Sequence, residues 1–267
     1  MRRERANRMA VGVLLSVTAA CSATLFACAG SSAAAVFRQT VEETQAESDG
    51  QRGVLHGLTV AVDAGHGGYD GGAVGRVSGV PEKGINLDVA QRMESLLREA
   101  GADVLMTRTG DYALCDEDPP IRKKLQDMQR RAALIRMGGA DIVISVHMNE
   151  YAGRRESGPQ VFYREGCPAG RLLAGAVQSA MIEGLLPEKR REALGGDYYI
   201  LTLGLPSVLV ECGFLSNREE EAKLLTEDYR QRTAQAIVRG IMDWAALPEE
   251  KPQPLEAVDR SSEPKGD

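Results

Sequence analysis

The chain is poor in cysteine and histidine and has no excess of basic charge. Five cysteines in 267 residues are too few for a disulfide scaffold. Lys and Arg number 32 against 38 Asp and Glu, a formal net charge of -6, so the electrostatic footprint of a nucleic-acid binder is missing. No internal repeat and no second globular module is visible. What remains is ordinary for a soluble globular protein, 43% hydrophobic and 26% charged, which excludes long-range disorder and a polytopic membrane protein. The length fits one domain of roughly 200 residues with tails. With only three histidines, any tight histidine motif carries weight.

The N-terminus reads as an export signal. Arg2, Arg3, Arg5 and Arg8 form a basic start, and no charge follows from Met9 to Phe37. Ala33-Ala34-Ala35 or Ala27-Cys28-Ala29 satisfies a small-x-small cleavage rule; uncleaved, about 19 to 20 apolar residues just span a bilayer as an anchor. A lipoprotein site at Cys28 is a third reading, weakened by Phe26. A buried N-terminal helix is disfavoured, because basic residues before an uncharged run are a topology signal. The expectation is residues 1–35 as signal peptide or membrane anchor, 36–55 as flexible spacer, 56–247 as the folded domain and 248–267, with Pro248, Pro252, Pro254 and Pro264, as a disordered tail. The folded domain then lies outside the cytoplasm, secreted or anchored to the outer face of the cytoplasmic membrane.

The middle alternates strand and helix. Strands are expected at Leu58–Asp63, Ala102–Thr107, Asp141–His147 and Ser207–Glu211. Helices are expected at Ile85–Ala100, Lys124–Met137, Pro168–Leu185 and Asp228–Trp244. Crossovers between such strands imply a single α/β domain: a mainly parallel twisted sheet with helices on both faces. His66 follows the first strand, His147 ends the third and Glu211 ends the last. In an open α/β sheet, ligands bind outside the carboxyl ends of the strands.

Each of these residues alone has a plain structural explanation: a satisfied loop histidine, a hydrogen-bonded core histidine, a salt-bridged strand-end glutamate. Glu82, opening the first helix, is commonly just compensation of the helix dipole. Together, His66, Glu82 and His147 offer the ligand set of a hydrolytic zinc site with an open position for water. Glu211 follows Val208-Leu209-Val210, where a carboxylate is costly unless paired or functional. The glycines of Asp63-Ala-Gly-His66-Gly-Gly-Tyr-Asp70-Gly-Gly do not lead straight into a helix and no P-loop lysine follows, which speaks against nucleotide binding. Gly67-Gly68 and Gly71-Gly72 are expected to let a bulky ligand approach. Cys212 alternates with Glu211 and is expected to face away from the crevice as a core residue, which argues against a Cys–His nucleophile. The pairing of Cys115, Cys167 and Cys212 is left open.

At these motifs the sequence resembles the zinc-dependent N-acetylmuramoyl-L-alanine amidases of peptidoglycan. The matching pieces run in order: Val62 to Gly68, Glu82 with Asn86, Thr107 to Asp111, Asp141 to Asn149, and Pro206 to Asn217. The resemblance implies one zinc per domain on His66, Glu82 and His147, with Glu211 as the catalytic carboxylate and a peptidoglycan substrate. A narrower likeness, to the spore-cortex branch that initiates muramic lactam formation, rests on Ile121 to Asp127, Ser145-Val-His-Met-Asn149 and the absence of wall-binding repeats. Leu201 departs from the polar or basic residue of many relatives, which puts substrate contact there in doubt. Autoinhibited members carry an extra helix across the site; Leu186 to Gly196 is short for such a plug, so control falls to expression, location or a regulatory protein partner. The competing classes are a non-catalytic wall-binding or activator protein, and another zinc hydrolase of peptidoglycan. The absence of a His-Glu-x-x-His helix weakens the peptidase version of the latter.

Overall fold

A computed structural model of the chain describes residues 53–248 except 120 and 154. The expected leader, most of the spacer and nearly all of the tail lie outside the described residues. Six strands form one sheet: β1 (Thr59–Ala64), β2 (Asp103–Met106), β3 (Ile142–Asn149), β4 (Gln160–Tyr163), β5 (Leu194–Gly195) and β6 (Ser207–Phe214). The helices are α1 (Glu82–Glu99), α2 (Lys123–Met137), α3 (Pro168–Leu185), α4 (Arg218–Leu224) and α5 (Glu227–Ala245), with a 3₁₀ turn at Tyr199–Thr202. Strand order is β2-β1-β3-β6-β4-β5. All pairings are parallel except β4 with β6.

Alternation along the three central strands divides the core. Val60, Val62 and Ala64 of β1, Ile142, Ile144 and Val146 of β3, and Val208, Val210 and Cys212 of β6 face a thick layer built from α1, α3 and α5. The intervening residues Ala61, Val143 and Leu209 face a thinner layer of Ala132 and Ile135 from α2 with Ile200 and Leu201 from the 3₁₀ turn. Because side chains alternate with period 2, Asp63, Ser145, His147 and Glu211 also belong to the thin side. Helices therefore cover both faces, unequally, and the polar residues of the strand ends all fall under the lighter cover.

Among the described residues Cys115, Cys167 and Cys212 are all unpaired. Cys212 is fully buried on the thick side, as the alternation predicts. Cys167 caps α3, its sulfur accepting from the Gly170 amide at 3.4 Å. No helix among the described residues is long and apolar enough to cross a membrane.

Candidate metal centre

Three segments meet beyond the carboxyl ends of β1, β3 and β6. β1 ends at Ala64, and the next residues turn sharply, with His66 in the left-handed region at φ 61°, a conformation that few residues bearing a side chain adopt. His147 lies near the end of β3 and is in register with Glu211 on β6. Just past this pair the ladder slips, Asn149 pairing with Phe214, so β6 carries one extra residue there. Bulges of this kind re-aim side chains at sheet ends.

Glu82 opens α1 yet does not serve as a cap for its own helix. Its Oε2 accepts the Met148 amide at 2.7 Å. The reason lies in the ladder. Residues 146 and 148 of β3 face the β1 side; Val146 still receives Gly65 there, but β1 has run out by Met148, and the carboxylate takes the free donor. Oε1 is thereby left against the histidines. It touches His66 Nε2 and stands 3.9 Å from His147 Nδ1. The two imidazoles meet edge to face, with centroids 4.9 Å apart. One donor atom from each of His66, Glu82 and His147 lies within 4.8 Å of the others.

His66, Glu82, His147 and Glu211 line a cavity of about 340 Å³. Its walls include Asp70, Lys124 and Met128, and Tyr198, Tyr199 and Ile200 from the thin layer. Burial pushes the Glu211 carboxyl up, from 4.5 to about 7, helped by the Glu82 charge and opposed by the two histidines. Its Oε2 is buried without a hydrogen-bond partner. For Glu82, burial also pushes upward, but the neighbouring imidazoles of His147 and His66 overcome it and hold the carboxyl at about 2. Burial lowers His66, and Glu82 and Asp70 more than reverse this. Two carboxylates in one cavity are thus driven apart, one ionised throughout and one titrating near neutrality.

A nitrogen–oxygen–nitrogen donor set of two imidazoles and a carboxylate suits zinc, and the surrounding backbone is cut to it. A Cβ at Gly65 would collide with the His147 ring, 2.3 Å from its nearest atom, and one at Gly72 would collide with Glu82 Oε1. This corrects the expected use of the paired glycines. A Cβ at Gly67 or Gly68 would strike the backbone of Tyr112 and Ala113; these two and Gly72 make room for the protein itself, not for a ligand, while a Cβ at Gly71 would meet Pro81 at an ordinary contact distance. Leu201 is likewise corrected. It is 2% exposed in the thin-side core and outside the cavity wall, so its departure from relatives does not bear on a cavity contact; Tyr198, Tyr199 and Ile200 hold that position. None of residues 186–196 lines the cavity; Lys189 and Arg191 are tied instead to Glu156.

Sequence reasoning gave no role to Asp70, Asp63, Arg108 or Arg131. Asp70 Oδ2 stands 2.9 Å from His66 Nδ1. Its spacing of four from His66 was the available signal, hidden in a glycine-rich run. Arg131 pairs with Asp63 at 2.7 Å across 68 residues, and no local pattern announces that contact.

Fold and site together define an open α/β domain whose sheet edge carries a His–Glu–His cluster beside a half-buried, neutral-range carboxylate. The N-acetylmuramoyl-L-alanine amidase family matches residues 60–243. A germination-specific N-acetylmuramoyl-L-alanine amidase of Bacillus subtilis is 35% identical over 193 residues, 71% of this chain and 81% of that protein. Among solved structures, the CwlD amidase of Clostridioides difficile, determined in complex with the GerS lipoprotein, is similar with a TM-score of 0.68 at 32% identity, over 70% of this chain and 98% of that one. An N-acetylmuramoyl-L-alanine amidase from Clostridium difficile 630 gives a TM-score of 0.63 at 29% identity, over 70% and 96%. The chain belongs to the N-acetylmuramoyl-L-alanine amidase family, enzymes that hydrolyse peptidoglycan amides.

Proposed function

We propose that the protein cleaves the bond between N-acetylmuramic acid and the L-alanine of the stem peptide, with one zinc ion held by His66, Glu82 and His147 and with Glu211 as the proton carrier. The observation that carries this reading is the convergence of those four side chains on one cavity. When bound, zinc supplies a Lewis acid and a water made acidic enough to be deprotonated near neutral pH. The protein's share follows from its own contacts. Met148 fixes one oxygen of Glu82 and turns the other inward. Asp70 faces Nδ1 of His66, favouring a proton there and leaving Nε2 as the lone-pair nitrogen. Glu211, at about 7, is matched to accept a proton and return it to the leaving amine at neutral pH, where general acid–base catalysis is most effective.

The biological setting belongs to the same proposal. Likeness to a germination-specific amidase supports a substrate in the spore cortex. The CwlD structure, solved with a lipoprotein, supports control by a protein partner, in keeping with a 186–196 segment that leaves the cavity free. The arginine-rich start before an uncharged run supports export, with residues 1–35 as signal or anchor. A C-terminal reporter that works only outside the cytoplasm should be active; cytoplasmic reporter activity would contradict export. The activity is tested by mass analysis of muropeptides after incubation with the purified protein. Free stem peptides beginning with L-alanine, together with peptide-free muramic acid, are expected. Deacetylated glycan with intact stems would point to another hydrolase.

A further inference from the structure

Three consecutive carbonyls, those of Ala64, Gly65 and His66, project just beyond the end of β1, where no neighbouring strand satisfies them. Two arginines, each 1% exposed, gather them. Arg131 donates from Nη1 to Ala64 O at 2.9 Å and from Nη2 to His66 O at 2.6 Å. Arg108 donates from Nε to Ala64 O at 2.8 Å and from Nη2 to Gly65 O at 2.9 Å. The same Nη2 reaches Lys83 O at 2.7 Å. One guanidinium therefore ties the His66 turn to the first turn of α1, beside Glu82. The other holds the left-handed residue itself.

We infer that Arg108 and Arg131 are positioning residues whose guanidiniums lock the backbone carrying His66 and Glu82 and so set how tightly the cluster holds its metal. The inference rests on the metal reading proposed above. Arg131 is itself anchored, by Asp63 Oδ1 on Nη1 at 2.7 Å and by Asp127 Oδ2 on Nε at 2.7 Å. With four hydrogen bonds made and almost no exposed surface, it has little left to offer a substrate although it borders the cavity. The work needs arginine's planar fork; a lysine keeps the charge but reaches as a single point and cannot span several fixed carbonyls. Freed from the clamp, His66 would relax from φ 61° toward commoner conformations and carry its ring away from Glu82.

The test separates positioning from simple support of the fold. Zinc affinity is measured on full-length protein by competition with a chromophoric chelator, at a temperature where near-UV circular dichroism shows each variant folded. Wild type is compared with Arg131→Lys, Arg108→Lys and, as a destabilised control away from the site, Leu97→Ala in the core face of α1. The arginine variants are expected to bind zinc 10–100-fold more weakly, the usual scale for losing groups that orient metal ligands, while Leu97→Ala binds as wild type does. Wild-type affinity in folded arginine variants overturns the inference, and so does an equal loss in Leu97→Ala. Should an arginine variant not fold, Asp127→Asn, which loosens Arg131 without removing it, is expected to weaken zinc severalfold, and unchanged affinity there counts equally against it. Wild-type protein that binds no zinc refutes the metal reading itself.

Discussion

Glu211→Gln keeps the shape of the side chain and removes its charge and its ability to take a proton. The three donor residues are untouched, so zinc content is expected to stay near wild type. Loss of general acid–base catalysis is expected to lower amide cleavage by about 10²–10⁴-fold, which is about 3–5 kcal/mol on the barrier. The structure adds a second signature. The carboxyl is raised from 4.5 to about 7, so burial opposes its ionised form. A carboxyl whose folded value is raised weakens the fold as pH climbs from about 4.5 to about 7, and the loss then levels off. At about 1.4 kcal/mol per pH unit the full effect is about 3 kcal/mol, an upper figure because the residue is only half-buried while its Oε2 is sealed. In chelator-treated protein, urea midpoints at pH 5 and pH 8 should show this loss in wild type and not in Glu211→Gln. Comparing the two proteins cancels the contributions of every group they share. Identical pH slopes would refute the burial argument. Full activity would move the proton carrier elsewhere, with Glu82 the first suspect, and loss of zinc from the variant would make Glu211 a ligand.

Other outcomes follow from the same contacts. His147→Ala should lose zinc and activity together, and chelated wild type should regain activity with zinc; metal-free active protein by elemental analysis would refute both. For Asp63, burial pushes the carboxyl up, but the Arg131 charge and hydrogen bonds from Ser145, Thr107 and Arg131 outweigh it and hold the group at about 2. Its lowered value contributes about 2 kcal/mol above about pH 4 that disappears as pH falls to about 2. Asp63→Asn should lack that step and cost about 3–5 kcal/mol at neutral pH, the scale for breaking a buried ion pair; equal acid limbs in denaturation curves would contradict this. Gly72→Ala places a Cβ against Glu82 Oε1 at a φ of +68° and should cost roughly 1–3 kcal/mol with reduced zinc content; normal thermal stability and metal content would refute the cradle.

The elements of highest hydrophobic contrast were legible in the sequence. Strands β1, β3 and β6 announce themselves as short apolar runs, and α1, α2, α3 and α5 as stripes at helical spacing. Their alternation then implies which edge collects His66, His147 and Glu211. The antiparallel strand β4 was not legible as such. Residues Gln160–Tyr163 pair with β6 in a direction that only the whole sheet decides. The two-residue β5 and the short α4 are too brief for periodicity to register. The apolar stripe of α1 begins only at Ile85; Glu82 opens the helix, and its side chain is held by Met148, a partner 66 residues away that no local pattern announces. Glycine chemistry was misread for a related reason. Local sequence says that a glycine permits close approach, but only the fold says what approaches, and at Gly67, Gly68 and Gly72 it is the chain's own backbone and Glu82.

The amide of Met148 deserves a second use. It sits where β1 has ended, so its exchange with solvent deuterium is governed by the Glu82 carboxylate and not by a neighbouring strand. Its protection therefore reads out whether that side chain is in place, independently of substrate or turnover. Slow exchange at Met148 would accompany an assembled cluster, and faster exchange, with Val146 still protected, would mark one whose Glu82 has swung free. The sheet's unfinished edge thus carries its own spectroscopic gauge of the site.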